Sequence, residues 1–510
     1  MTKKALLFLA LFFLVSAITY TLTARALGFQ VVLNDFWTVF YYARNLNLSI
    51  PASLQNSLFP IGYATILHLM PVRHALWMAF YLNVALASLA VTATSALVLT
   101  EHRSWPAVLV GLCAIFYPLT FRYANTTGPD IGVVTFIALG LFFLWRDMLA
   151  ENNSQGAGKW QQVNWALAGG SLALASLWRS HAIVAGLAIL LVHTGIMGVK
   201  TLWQRKTLWL AFLLVAGIQV LVNLLAGHGA AENAQYFNIY KTFFGNDWLT
   251  VPKDANNQLL INLFLTRPIP ILKQYLPHVW NVALYTWPAV PLYMVSKKPA
   301  YRRYAIFTAM VICLYALPVA FGSSPRAPLA ITPLSFTAFG LLVGEITQRL
   351  STRFWLRLAA WTAFLALAAL MTFQWYQENT RFIQAFSDQH ERYLNIERRL
   401  RAQGLTSPDE VFTNRYNFYL PTTPPYQPRS NGGWDSSILW NYRTAYPELP
   451  VGTWEEFSAA CQAQGVRFLV LNPYSYELAP YFGEIYQETY LPENIKILKF
   501  VGDYQILMFK

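Results

Sequence analysis

Charged residues are scarce in this chain. Only 12% of its 510 residues are Asp, Glu, Lys or Arg, about half the share of an ordinary water-soluble domain, so water is not the main solvent of the folded protein. Cysteine is nearly absent too. Cys113 and Cys313 fall inside apolar runs and Cys461 stands alone in the C-terminal part, which excludes a disulfide within that part. No Cys/His cluster has zinc spacing. There is no glycine-rich phosphate loop of the P-loop or dinucleotide type, no internal repeat and no low-complexity segment.

What the chain has in abundance is apolar length: 55% of its residues are hydrophobic and 16% aromatic. Runs long enough to cross hydrocarbon, about 20 residues each, recur to about residue 374 and then stop. They cover residues 5–24, 75–99, 106–121, 130–146, 164–178, 181–197, 207–226, 278–296, 303–321, 327–347 and 354–374. This pattern predicts a polytopic α-helical membrane protein with about eleven transmembrane helices, residues 1–375, followed by a soluble domain, residues 376–510.

Orientation follows from Lys and Arg. With the N-terminus inside, alternate connections collect Lys3, Lys4, Arg103, Arg146, Lys159, Arg205, Lys206, Lys297, Lys298, Arg302, Arg303, Arg349 and Arg353, whereas the short opposite ones hold little more than Arg122, Arg179 and Arg326. This is the positive-inside asymmetry. It places the tail and the long loops 25–74 and 227–277 outside the cytoplasm. It also accounts for much of the net charge of +13, so the basic balance reports topology, not a nucleic-acid partner. Lys3-Lys4, the apolar stretch and Ala24-Arg25-Ala26 imitate a signal peptide, but the stretch from Ala5 to Leu22 exceeds the usual core of roughly 7–15 residues. A retained anchor is the expectation.

The spans carry few ionisable groups, whereas a transporter keeps them near the membrane midplane. Asp35, Asp130, Arg122, Arg179, His181 and Arg326 instead sit at the expected outer ends of spans. Asp35 follows Val32-Leu33-Asn34 and precedes Phe36-Trp37. A carboxylate partly desolvated among such neighbours serves as a general base; equally, it could cap the amphipathic stretch that runs to Asn45. The three arginines fit either snorkelling to lipid phosphate or binding the phosphate of a lipid-linked donor. His181 fits a hydrogen-bonded interfacial residue or a proton shuttle.

The ordered set of outside motifs resembles the GT-C superfamily of membrane glycosyltransferases. The likeness is to the family-39-like bacterial enzymes related to protein mannosyltransferases and aminoarabinose transferases. Asp35, Tyr41-Tyr42-Ala43 and Phe59-Pro60-Ile61-Gly62 stand where that family carries its first-loop aspartate, the following helix and a proline segment. Thr127-Gly128-Pro129-Asp130 resembles its second acidic site, Trp178-Arg179-Ser180-His181 its short arginine-bearing turn, and Ser324-Pro325-Arg326 with Pro333 its late Arg-x-x-x-Pro pattern. Many relatives have two adjacent acids in the first loop; here Asn34 precedes a single Asp35, so a two-carboxylate metal site is not indicated and no metal or other cofactor is called for.

The resemblance implies transfer of one sugar, with inversion, from a polyprenyl-phosphate donor to a glycan, lipid or protein acceptor hydroxyl outside the cytoplasmic membrane. Asp35 would be the base, with Arg179, Arg326 and Arg122 on the donor phosphate and Asn34, Asp130 and His181 in the substrate site. A lipid-linked saccharide flippase and a noncatalytic scaffold displaying the tail are the rival classes. The tail reads as α/β: a charged helix over 380–403 and strands at 411–414, 468–472, 495–501 and 504–509. Between them, Asn431-Gly432-Gly433-Trp434-Asp435 is either plain turn chemistry or a sugar contact through Trp434. If the parity of spans is right, a reporter active only in the cytoplasm and fused after Lys510 stays silent, and a strong signal overturns the orientation.

Overall fold

The computed structural model describes the chain apart from residues 1–2, 27–30, 33, 48, 51–58, 102–103, 150–158, 199–201, 228, 230–261, 263–264, 323–325, 351–353, 415–417, 425, 427 and 430–448. All eleven apolar runs are helical. In chain order the body consists of α1 (Lys3–Ala26), β1 (Val31–Val32), α2 (Asn34–Asn45), α3 (Ile61–His68), α4 (Ala75–Leu99), α5 (Ser104–Phe116), α6 (Pro118–Ala124), β2 (Thr126–Thr127), α7 (Asp130–Leu149), α8 (Lys159–Trp178), α9 (Ala182–Met197) and α10 (Lys206–Leu225). Then come α11 (Pro268–Ala283), α12 (Ala289–Val295), α13 (Pro299–Val319), α14 (Thr332–Arg349) and α15 (Phe354–Ala402).

The surface of this bundle is apolar. Leu7 is 72% exposed on α1, Leu214 68% on α10 and Leu370 62% on α15; such contiguous apolar surface is stable only against lipid. The protein is a membrane protein. Among the described residues, five helices are by themselves long and apolar enough to span, or six with a bent pair counted as one. The expected eleven is not reached on that measure.

Breaks explain part of the difference. The run 106–121 divides into α5 and α6, bent by 61°, because Pro118 denies the helical conformation to Tyr117 (ψ 128°) and starts a new helix at its own first position. The run 278–296 crosses from α11 through the 3-10 turn Leu284–Thr286 into α12. At the other extreme, the run 354–374 and the helix expected over 380–403 form one continuous helix of 49 residues, on the order of 70 Å long at 1.5 Å per residue. The expected boundary at 375 falls inside it.

The tail adds β3 (Val411–Thr413), α16 (Trp454–Ala463), β4 (Phe468–Leu471), α17 (Pro480–Tyr486), β5 (Ile495–Val501) and β6 (Tyr504–Phe509). The sheet order is β3-β4-β6-β5, parallel between the first two strands and antiparallel elsewhere. β4 is buried on both faces, which is why it reads Phe-Leu-Val-Leu without alternation. Its Leu469 and Leu471 pack with Phe457 and Phe482 of α16 and α17. Phe468 and Val470 belong instead to the cluster that runs through Tyr393 of α15 into Trp37 and Tyr63 of the membrane body. Tail and body share one core.

Two glycines let helices meet closely around the end of α8. A Cβ on Gly132 of α7 would lie 2.2 Å from the Trp178 ring, and one on Gly62 of α3 would lie 2.5 Å from the Leu177 carbonyl oxygen. Gly170, on the same helix as Trp178, faces open space. Gly132→Ala is expected to cost about 1–3 kcal/mol by overpacking. Gly170→Ala is expected to be neutral or stabilising by up to about 1 kcal/mol. Thermal unfolding of the two variants in one detergent checks the pair.

Candidate active site

Asp35 and Asp130 are 95 positions apart in the chain, yet a two-residue parallel pairing brings them to one level. Val31 pairs with Thr126 and Val32 with Thr127; each aspartate stands three residues beyond the second pair. Asn83 of α4 fixes β2 by donating to the carbonyls of Thr126 (2.7 Å) and Gly128 (2.9 Å). Gly128 turns the chain into α7 at φ +148°, a conformation that side chains disfavour. Asp35 lies in the first turn of α2 and Asp130 opens α7, where the helix N-termini favour negative charge.

Arg179 joins them from the turn between α8 and α9. Its Nε donates to Asp130 Oδ1 at 3.0 Å and its Nη2 to Asp130 Oδ2 at 3.0 Å, a two-point grip; Nη2 also reaches Asp35 Oδ2 at 2.5 Å. Arg326, which precedes the 3-10 turn Ala327–Ile331, donates through Nη1 to Asp35 Oδ2 and, at 3.3 Å, to Asp130 Oδ2. The Arg179 guanidinium lies over the Phe59 ring at 4.9 Å and that of Arg326 over Tyr123 at 5.8 Å. Two positive and two negative side chains thus form one balanced cluster from four separate segments.

Burial is graded across it. The side chain of Asp130 is 2% exposed, Arg179 14%, Asp35 26% and Arg326 30%, so Asp130 is the anchored member and the Asp35–Arg326 edge meets the surroundings. Both contacts of Asp35 use Oδ2; Oδ1 takes none among the described residues. Burial by itself would raise the Asp35 pKa, but the charges and hydrogen bonds of Arg179 and Arg326 outweigh it and hold the carboxyl well below the ordinary carboxylate range. The stability this gives is complete above that range and is lost as pH falls through it and below. Among the described residues the Asp35 carboxylate is engaged by side chains of distant segments and makes no cap hydrogen bond.

The other expected residues divide. His181 stands at the N-cap of α9, two residues from Arg179, without a side-chain cap hydrogen bond. Arg122 is not in the cluster: it turns to α15, with Nη2 2.6 Å from Glu378, Nε 3.3 Å from Asn379 Oδ1 and its guanidinium over Phe382 at 4.7 Å. The side chain of Asn34 and the whole loop containing Trp434 lie outside the described residues, as do Ser324 and Pro325. Phe59, Tyr123 and Asn83 support the cluster without having been singled out for it. For Asn83 a signal existed, a carboxamide inside an apolar helix. Among the described residues no three His, Cys, Asp or Glu side chains gather as a metal site.

The tail closes over α2 beside the cluster. The ring of Trp37 packs on Tyr419 (centroids 4.7 Å apart) and Tyr426 (6.0 Å), and the Tyr426 hydroxyl donates to the Arg73 carbonyl at 2.6 Å. The whole is a helical membrane bundle with paired acidic and basic groups at one end and a small α/β tail packed beside them. No family profile and no curated protein matches the chain. Among solved structures it is similar to ArnT from Cupriavidus metallidurans. In the apo state the two share 14% identity, over 96% of this chain and 97% of that one, at a TM-score of 0.54. The ArnT structure bound to undecaprenyl phosphate matches with 12% identity over 98% and 97%, at 0.52.

Removing Asp130 takes the two-point partner from a buried guanidinium and leaves it only Asp35 among the described residues, whereas Arg122 faces a Glu378 that is 62% exposed. Asp130→Ala is therefore expected to lose about 3–5 kcal/mol, and Arg122→Ala to change stability little. Denaturation monitored in detergent distinguishes the two; equal losses would place Arg122 on a par with the cluster.

Proposed function

We propose that this protein is a glycosyltransferase that moves a sugar from a polyprenyl-phosphate donor to an acceptor hydroxyl, with the cluster on the extracytoplasmic side of the cell membrane. The observation that carries the reading is the Asp35 carboxylate, partly exposed, with one oxygen held by two guanidinium groups and the other without a contact among the described residues. A base and cationic phosphate contacts side by side are what displacement at an anomeric carbon beside a phosphate requires. The fold shared with ArnT supports the same class, and that protein has been captured with undecaprenyl phosphate.

In this reading the acceptor oxygen attacks the anomeric carbon, its proton passes to Asp35, the bond from the anomeric carbon to the phosphate oxygen breaks, and polyprenyl phosphate leaves with the electron pair. Arginine stabilises the charge that grows on the leaving phosphate. Attack opposite the leaving group inverts the anomeric centre. An apolar crevice of about 150 Å³ between α5, α14 and α15, lined among others by Cys113, Phe336, Phe339, Phe364 and Met371, has Thr332 on its wall, six residues beyond Arg326. Its chemistry suits an isoprenoid chain. The expected cytoplasmic turns rich in Lys and Arg support the orientation.

The test is incubation of the purified protein in lipid nanodiscs with a panel of polyprenyl-phosphate sugars, scoring transfer and hydrolysis. Asp35→Asn keeps the shape and the helix N-terminus but cannot take a proton, and is expected to lose roughly 10²- to 10⁴-fold in turnover while inserting normally. Retention of more than about a tenth of the activity removes Asp35 as the base, and no turnover of any donor by the unaltered protein removes the reading.

A further inference from the structure

The balanced cluster has a consequence for how a donor could enter it. Two guanidinium groups already face two carboxylates, so among the described residues of the cluster a phosphate arriving there meets no surplus positive charge. At equal separation and in the same surroundings, a phosphate oxygen and a carboxylate oxygen attract one guanidinium with similar strength. A phosphate and a carboxylate therefore compete for the same arginine on comparable terms.

The four partners are unequal in that competition. Arg179 holds both oxygens of the buried Asp130 and rests on Phe59, so moving it would leave a carboxylate uncompensated at 2% exposure. Arg326 shares Nη1 between the two aspartates and, with Asp35, is the more exposed edge. Loss of the Arg326–Asp35 contact leaves Asp130 with Arg179, and leaves Asp35 with its single contact to Arg179 Nη2. The pair that can open while Asp130 keeps its two-point partner is Arg326–Asp35, at the loss of the longer Arg326 contact to Asp130.

Building on the glycosyl-transfer reading, we propose that Arg326 works as a two-position switch: it pairs with Asp35 in the empty site and shifts to the donor's phosphate when donor binds, freeing Asp35 to act as base. Arg179 is a positioning residue, a strut between Asp130 and Asp35, and not a donor ligand. A carboxylate gripped by Arg326 has little affinity for a proton; one released from it has more. Activation of the acceptor is thereby confined to the donor-loaded enzyme. By linkage, donor phosphate raises the proton affinity of Asp35 by the same factor that protonating Asp35 raises the affinity for phosphate. Among the described residues the charged and titratable groups around Asp35 are Arg179, Arg326, Asp130, Tyr123 and, beside Arg179, His181.

The experiment measures binding of a short-chain polyprenyl phosphate to the full-length protein in nanodiscs, from pH 8 to pH 5, for the unaltered chain and for Asp35→Asn, Asp35→Ser and Arg326→Gln. If the switch exists, both Asp35 variants bind on the order of tenfold more tightly, because the carboxylate that competes most directly with phosphate for Arg326 has been removed. The unaltered chain then tightens more than they do as pH falls, because binding takes up a proton at Asp35. Arg326→Gln binds more weakly. Equal or weaker binding by both Asp35 variants, with Arg326→Gln still weakened, overturns the switch and leaves the glycosyl-transfer reading standing. Unchanged binding by Arg326→Gln overturns the assignment of donor phosphate to this site, and the switch with it.

Discussion

The two-point contact between Arg179 and Asp130 is the constraint around which this end of the molecule is arranged. It ties the start of α7 to the end of α8, and through Arg179 Nη2 it holds Asp35 at the start of α2. A guanidinium buried to 14% exposure is tolerable only because both its charge and its donors are met by carboxylates. The surrounding elements follow from that need. The short β1–β2 pairing sets the two aspartates level, Asn83 holds β2 in place, Gly132 and Gly62 let neighbouring elements close on Trp178 and Leu177, and Phe59 supplies a ring for the cation.

Rigidity and exposure are distributed unevenly as a result. Asp130 lies in the interior of the bundle, while Asp35 and Arg326 stand at its edge beneath the tail. The tail is not tethered loosely. Helix α15 runs unbroken from the membrane body into it, Tyr393 of that helix belongs to the same apolar cluster as Trp37, and Tyr426 bonds to the Arg73 carbonyl. Arg122 contributes to that union and not to the charge cluster, since its partners Glu378 and Asn379 lie on α15.

The far end of the bundle shows that a buried charge cluster does not by itself mark a site. There Asp147 of α7 is gripped by Arg205 Nε at 2.7 Å and Nη2 at 3.1 Å, with His193 Nε2 at 2.9 Å. The same helix is thus pinned at both ends, by Asp130 and by Asp147. The difference lies in access: Asp147 and Arg205 are 4% and 5% exposed, whereas Asp35 and Arg326 present an open edge. Charge that is closed on all sides holds helices in register; charge with an open side can exchange partners.

The amino-acid sequence alone determined the solvent, the helical segments and the strands of the tail. Run length, apolarity and alternation are properties of neighbouring residues, and neighbours decide whether a segment is stable in lipid or in a sheet. The expected run 75–99 coincides with α4, and all four tail strands lie where they were expected, β4 as a continuous apolar run. The break at Tyr117-Pro118 divides a run expected to be continuous, although the proline that causes it is a local feature. What tertiary structure alone decided is which charges meet. Asp35 and Arg326 are 291 positions apart, and their contact depends on a strand pair too short to carry any periodicity and on helix approaches set by two glycines. Arg122, alike in residue type and in its place at a helix end, turned elsewhere because α15 offered it a partner. The meeting of charges is a property of packing, which no local pattern encodes.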